Sequence, residues 1–149
     1  MSTAFENPVL EVVRLLDASA ERVFAAWMNR DEWGAWIGPE GCKCDITLFE
    51  PRVGGQYRLL MNLSDGRTIP VIGEFKAIEA PNRFAFTWDS KLGDGASLVS
   101  VSLRDAGGGK TELTLRQESL PTREMREAHS RGWNSALNKL ARHVKGETP

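Results

Sequence analysis

The sequence is short of the residues on which most catalytic and metal-binding chemistry is built. Among 149 residues there are two histidines and two cysteines. His129 and His143 both lie in the last stretch of the chain. No His-Glu-x-x-His pair, no glycine-rich phosphate loop followed by lysine and no Gly-x-Ser-x-Gly elbow occurs. Gly107-Gly108-Gly109-Lys110 opens a strand-like segment rather than a helix. It therefore offers no helix-terminal amides to a phosphate and reads as a hairpin turn. Cys42 and Cys44 are one residue apart, which is tight for a disulfide and wrong for the usual zinc spacing, and no second cysteine pair exists. They read as free thiols at the start of a strand. No metal and no cofactor is expected, and no catalytic residue is assigned.

Charge and hydropathy exclude further classes. The net charge is -1 and no run of like charges occurs, which argues against non-specific binding to nucleic acid or to a membrane surface. No apolar run is long enough to cross a bilayer, so no membrane insertion is expected. The first residues lack the basic and apolar blocks of a secretory signal, and a cytoplasmic location is expected. The remainder is ordinary globular material, 41% hydrophobic and 26% charged. Its length suits one domain over residues 1–149, with a core over roughly 9–145.

The stretch 122–145 organises the chain. Met125, Ala128, Gly132, Trp133, Ala136, Leu137, Leu140 and Val144 recur in steps of three and four, the stripe of an amphipathic helix. Thr122 suits an N-cap, Glu124 and Glu127 sit near the positive end, and Lys139, Arg142 and Lys145 gather at the other. Gly146 can take the left-handed C-cap conformation. Gly132 costs this helix ~1 kcal/mol relative to alanine, and beside Trp133 it implies close packing against a neighbouring strand or short helix.

Ahead of that helix the pattern is extended. Residues 9–16 are rich in β-formers and read as a strand. Ser19 caps a short helix over 20–28 carrying Val23, Phe24 and Trp27. Asp31 is expected to cap a second, with Trp33, Trp36 and Ile37. Alternation then marks strands over 43–50, 56–63, 68–78, 83–88, 97–103 and 111–118. Tight turns at Asp65-Gly66, Pro81-Asn82, Gly93-Asp94-Gly95 and Gly107-Gly108-Gly109 separate several of them. Such turns are too short for parallel crossovers, so the sheet is expected to be an antiparallel meander that twists and curls around the helix. The class is α+β, with a cavity expected between sheet and helix.

The residues carry a resemblance. Trp36-Ile37-Gly38-Pro39-Glu40-Gly41, Pro51-Arg52-Val53-Gly54-Gly55-Gln56-Tyr57-Arg58, Gly73, Ala80-Pro81-Asn82-Arg83, Phe84-Ala85-Phe86-Thr87-Trp88 and Gly132-Trp133 occur in an order and spacing similar to the activator of Hsp90 ATPase homologue 1-like (AHSA1-like) domains. The likeness runs from about residue 9 to residue 145. It implies a helix-grip fold of the START-like or Bet v 1-like (SRPBCC) type: a curved antiparallel sheet around a long C-terminal helix, with two short helices after the first strand. It also implies a lipid or other apolar molecule held between sheet and helix. The Hsp90 activator that names the family has a separate N-terminal domain for which this chain has no room, so a chaperone contact is left open rather than expected. Gln117 stands where many relatives have a histidine, and an amide does not titrate.

The expected ligand is a small apolar or amphipathic molecule. From the sheet, Tyr57, Leu59, Met61, Phe75, Phe86 and Trp88 are the candidate walls, joined by Val101 and Leu115. From the helix come Met125, His129 and Trp133. Tyr57, His129 and an indole N–H would orient a polar group of the ligand. The alternative is a START-fold enzyme of hydrolase or cyclase type using His129, for which the sequence nominates no carboxylate partner. A further alternative is an Hsp90-related co-chaperone or stress-response protein, or a homodimer, docking through Trp33 and the loop around Ile37. His143 falls nearer the polar side of the helix and is expected to be solvated.

Overall fold

The computed structural model describes residues 9–90, 96–120 and 122–145. Strand β1 (Leu10–Leu16) is followed by helices α1 (Ala20–Trp27) and α2 (Arg30–Trp36). Six strands come next: β2 (Lys43–Phe49), β3 (Gln56–Asn62), β4 (Thr68–Glu79), β5 (Arg83–Trp88), β6 (Ser97–Gly107) and β7 (Lys110–Glu118). Helix α3 (Arg123–Val144) ends the order. The strands form one antiparallel sheet in the order β1-β7-β6-β5-β4-β3-β2. Consecutive strands are neighbours from β2 to β7, as short turns require, and β1 closes on β7 across the helix pair. This is the helix-grip arrangement that the alternation and the final stripe imply.

Register shifts between Ile46 and Leu48 in β2 and between Phe75 and Ala77 in β4 mark bulges, which bend a strand and increase its twist. The inner face is set by strand parity. Tyr57, Leu59 and Met61 of β3, Phe84, Phe86 and Trp88 of β5, Val99, Val101 and Leu103 of β6, and Leu113, Leu115 and Gln117 of β7 are all buried.

The two short helices fill the part of the concave face that α3 leaves. Ser19 caps α1 through the Arg22 amide at 3.1 Å. The cap of α2 is Asn29, whose Oδ1 accepts from the Glu32 amide at 3.0 Å, and not Asp31, which lies in the first turn. Both residue types cap well, and the extended backbone of Asn29 places the helix start two residues earlier. Trp27 and Trp33 then enter the core. Trp33 stands edge-on to Tyr57 with ring centroids 5.0 Å apart, and Trp27 lies 5.1 Å from Phe84.

Trp33 and Ile37, expected as an exposed docking surface, are 0% and 1% exposed and form part of the core. The large apolar side chains that do face solvent, among the described residues, are Val13, Leu15 and Val53. The loop at Gly93-Asp94-Gly95 and the expected C-cap at Gly146 lie outside the described residues.

Candidate functional site

Helix α3 begins at Thr122, whose hydroxyl accepts from the Met125 amide at 3.1 Å. It crosses the concave face of the sheet and is fastened at several points. Arg14, on the inner face of the edge strand β1, donates to Asn138 Oδ1 at 2.7 Å and Asn134 Oδ1 at 2.9 Å. Lys139 is 6% exposed and donates to the carbonyls of Ile37 (3.3 Å) and Pro39 (3.1 Å). Burial pushes its ammonium below the ordinary lysine value. Arg142 reaches Glu40 at 3.0 Å. His143 is not solvated as its helical position suggested: its Nε2 lies 2.7 Å from Glu32 Oε1, which Arg22 also contacts at 2.6 Å. Burial alone would raise the Glu32 carboxyl, but the hydrogen bonds from Arg22 and His143 outweigh it and hold Glu32 below its usual value.

Near its N-terminus the helix stands off the sheet. A cavity of about 370 Å³ lies there, bounded by Met61, Ile69, Trp88 and Ser90 from the sheet side and by Gly38 and Pro39 from the turn after α2. Glu124, Met125, Ala128, His129, Gly132, Trp133 and Ala136 form its helical wall. Glu124 and Ala128 are exposed, so the cavity reaches solvent at the first turns of α3. The lining is almost wholly apolar, and the volume is toward the lower end of the ~300–1,000 Å³ typical of small-molecule sites.

The side chain that separates cavity from core is Trp133. Its indole N–H donates to Gln117 Oε1 at 2.8 Å, Gln117 Nε2 donates to Ser97 Oγ at 2.7 Å, and the Ser97 hydroxyl donates to the Trp88 carbonyl at 3.2 Å. Gln117 is fully buried, and both of its polar atoms are satisfied by this chain. The chain ties the Trp133 indole to the backbone of Trp88, and the rings of these two cavity-lining residues are 5.2 Å apart. An amide rather than an imidazole at its centre makes the link insensitive to pH.

Five of the eleven residues expected at the site line this cavity: Met61, Trp88, Met125, His129 and Trp133. The other six, Tyr57, Leu59, Phe75, Phe86, Val101 and Leu115, are at most 1% exposed and do not line it. They share the inner face of the sheet, but Trp27 and Trp33 plug the space in front of several of them. Trp33 lies 5.0 Å from Tyr57 and 5.9 Å from Phe86. The Tyr57 hydroxyl donates to the Thr87 carbonyl, so it is not available to orient a ligand. Burial, with the Asp89 carboxylate adding to it, holds that phenol well above its ordinary range, and it stays a neutral donor. Gly73 makes room for it, since a Cβ there would collide with the Thr87 carbonyl and the Tyr57 ring.

Gly132 serves a different end from the packing expected of it. A Cβ at Gly132 would meet nothing within 4 Å. The residue is missing bulk on the cavity wall, not a point of close approach. Ala128, Gly132 and Ala136, spaced by four, form one row of small side chains along the helix. In the sequence all three fall on the same amphipathic stripe as Met125 and Trp133. Ile69, Ser90, Gly38, Pro39 and Glu124 had no such signal. His129 lines the cavity with its Nδ1 2.9 Å from the Met125 carbonyl, and a carbonyl can only accept, so Nδ1 carries the proton. Among the described residues this bond goes to backbone, not to a carboxylate or hydroxyl that would pair with His129 in acid–base chemistry.

Residues 17–145 match the family model for the activator of Hsp90 ATPase homolog 1-like protein. The chain belongs to the AHSA1-like family. No curated protein matches it in sequence. Solved structures with the same architecture include a protein from Chromobacterium violaceum, 24% identical with a TM-score of 0.86, where the match covers 94% of this chain and 99% of that one. The AHSA1 protein of Silicibacter pomeroyi is 26% identical with a TM-score of 0.80, over 92% and 97% of the two chains. A Rhodobacter sphaeroides protein is 27% identical with a TM-score of 0.78, over 93% of each. These three structures share the fold of this chain, an open antiparallel sheet gripping a C-terminal helix. No helix among the described residues is long and apolar enough to cross a membrane.

Proposed function

We propose that this AHSA1-like chain binds one small, mostly apolar molecule in the cavity under the N-terminal half of α3. The observation that carries the reading is the cavity itself: about 370 Å³, reaching solvent, and walled by Met61, Ile69, Trp88, Met125 and Trp133. Apolar surface removed from water there contributes ~25 cal/mol per Å². A ligand of this size is anchored by contact area and oriented by few polar groups. The Trp133 indole N–H is already spent on Gln117, and the Tyr57 hydroxyl on Thr87. The polar side chains left at the cavity are Ser90, Glu124 at its mouth, and His129, whose Nε2 is an acceptor when the ring is neutral because Nδ1 donates to Met125. A molecule with an apolar body and one hydroxyl or amide end fits this set. The molecule is expected to be met in the cytoplasm.

Native mass spectrometry of freshly purified protein, compared with the denatured chain, tests for a retained molecule. Titration with 1-anilinonaphthalene-8-sulfonate tests the cavity directly. One probe per chain is expected, with binding lost in Gly132→Phe, whose ring would occupy the open space. Circular dichroism of that variant establishes that it is folded. Binding that survives unchanged in both folded Gly132→Phe and Trp133→Ala would place the probe elsewhere and overturn the proposal.

A further inference from the structure

The turn after α2 holds a cluster of sulphur atoms that the apolar cavity does not require. Cys42 lies just before β2 and Cys44 within it, so both side chains fall on one face. Their sulphurs are 3.5 Å apart. Cys44 pairs in register with Met61 of the adjacent strand. A Cβ built on Gly38 would stand 3.1 Å from the Cys42 sulphur, 3.1 Å from the Cys44 sulphur and 3.5 Å from the Met61 sulphur. Three sulphurs from three positions therefore converge around one point, and the absence of a side chain at Gly38 leaves the space between them clear. Its φ of +86° is a conformation that glycine adopts without strain.

Burial works against a bare Cys44 thiolate, and the positive charge beside the cluster is that of Lys139. Lys139 donates to the two carbonyls that flank Gly38, those of Ile37 and Pro39. Cys44 donates its thiol proton to the same Ile37 carbonyl at 3.3 Å. When that proton leaves, the carbonyl keeps a donor in Lys139, so no buried acceptor is orphaned. Both cysteines are free and half-buried, and Gly38, Pro39 and Met61 also line the cavity that opens to solvent.

The geometry points to Cys42, Cys44 and Met61 as a site for one soft, thiophilic monovalent metal ion of the copper(I) class. Thiolate and thioether donors select such ions over zinc, which takes four nitrogen, sulphur or oxygen ligands in a closed site. Among the described residues no group of three or more histidines, cysteines and carboxylates completes such a set. Binding is an exchange without redox change. One metal(I) ion enters, each thiol releases its proton to solvent, and two metal–thiolate bonds form with the Met61 thioether as third donor. The resulting complex carries one negative charge, which the Lys139 ammonium offsets. The assignment is independent of what fills the cavity, although the two sites share Met61.

Anaerobic titration of the reduced full chain with copper(I), against a chromophoric copper(I) chelator such as bicinchoninate, is the test. One copper(I) retained per chain is expected, with X-ray absorption showing a sulphur-only shell of three. Retention should be lost in Cys42→Ser/Cys44→Ser and weakened in Met61→Leu, which keeps the shape of the side chain and removes its sulphur. Circular dichroism of each variant confirms its fold. Failure of the parent chain to hold copper(I) against the chelator would overturn the assignment, as would undiminished retention in the double serine variant. Equal retention in Met61→Leu would overturn the three-sulphur site.

Discussion

From Lys139 onward α3 is held by polar contacts to α2 and the turn behind it, whereas from Glu124 to Gly132 the same helix meets open space. The fastened half carries long, charged side chains whose partners are far away in sequence: Ile37 and Pro39 for Lys139, Glu40 for Arg142, Glu32 for His143. It also carries the buried Leu140 and Val144. The open half presents Ala128 and Gly132, with Met125 and His129 on its flank. A helix lying on a curved sheet would close the space beneath it by simple burial. Here the clamp at one end and the short side chains at the other keep part of that space open. The long-range polar fastening lies away from the cavity, and of the helical wall it is Trp133 that also belongs to the core.

Four changes test that division, and the largest effect is expected at the boundary between the halves. Trp133→Ala removes a buried indole and leaves Gln117 Oε1 without its donor, and large-to-small changes of this kind cost about 3–5 kcal/mol. Urea unfolding measures it, and a loss below 1 kcal/mol would mean that Trp133 belongs to the open wall and not to the core. Lys139→Met next removes the donor shared by two carbonyls, with an expected loss of about 1–3 kcal/mol. If that variant is as stable as the parent, the polar clamp is not what fastens the helix. Gly132→Ala is expected to act with the opposite sign. The added methyl meets nothing within 4 Å, so the gain in helix propensity, about 1 kcal/mol, should appear as a higher urea midpoint. A destabilised Gly132→Ala would mean that this part of the helix is packed after all.

The smallest change concerns pH and the ion pair of the fastened half. The Glu32 carboxyl is held below its ordinary value of 4.5, so its contribution to stability is complete above that pH. The contribution is lost as pH falls through the lower value that the folded state imposes. Glu32→Gln should therefore be less stable than the parent near neutrality, with the gap closing on acidification. A gap that stays constant down to pH 3 would separate Glu32 from the pH response.

Much of the fold was legible because it follows from periodicity. Alternation placed Phe84, Phe86 and Trp88 on one face, and steps of three and four placed Trp133, Leu137 and Leu140 on one stripe, all of which are buried. Parity states which face a residue takes but not what stands opposite. Trp27 and Trp33 stand opposite part of that face, and their position depends on how two short helices dock, which no local pattern encodes. That is why Tyr57, Phe75 and Phe86 belong to the core while Met61 and Trp88, on the same face, border the cavity. His143 was misplaced for a related reason, since its partner Glu32 is 111 residues away in sequence. Gly132 was legible as an anomaly, but an isolated glycine in a helix signals either close approach or open space. Ala128 and Ala136, four residues to either side, are what distinguish the two readings.

The paired indoles of Trp88 and Trp133 give the molecule an optical property. Their rings are 5.2 Å apart and inclined at 58°, close enough and oblique enough for their excited states to couple. The bond chain through Gln117 and Ser97 holds the Trp133 indole against the backbone of Trp88. Coupled chromophores in a fixed chiral arrangement give a near-ultraviolet circular dichroism signal governed by their mutual orientation. A guest that tilts either ring by a few degrees would alter that spectrum, so the chain carries an unlabelled gauge of its own occupancy.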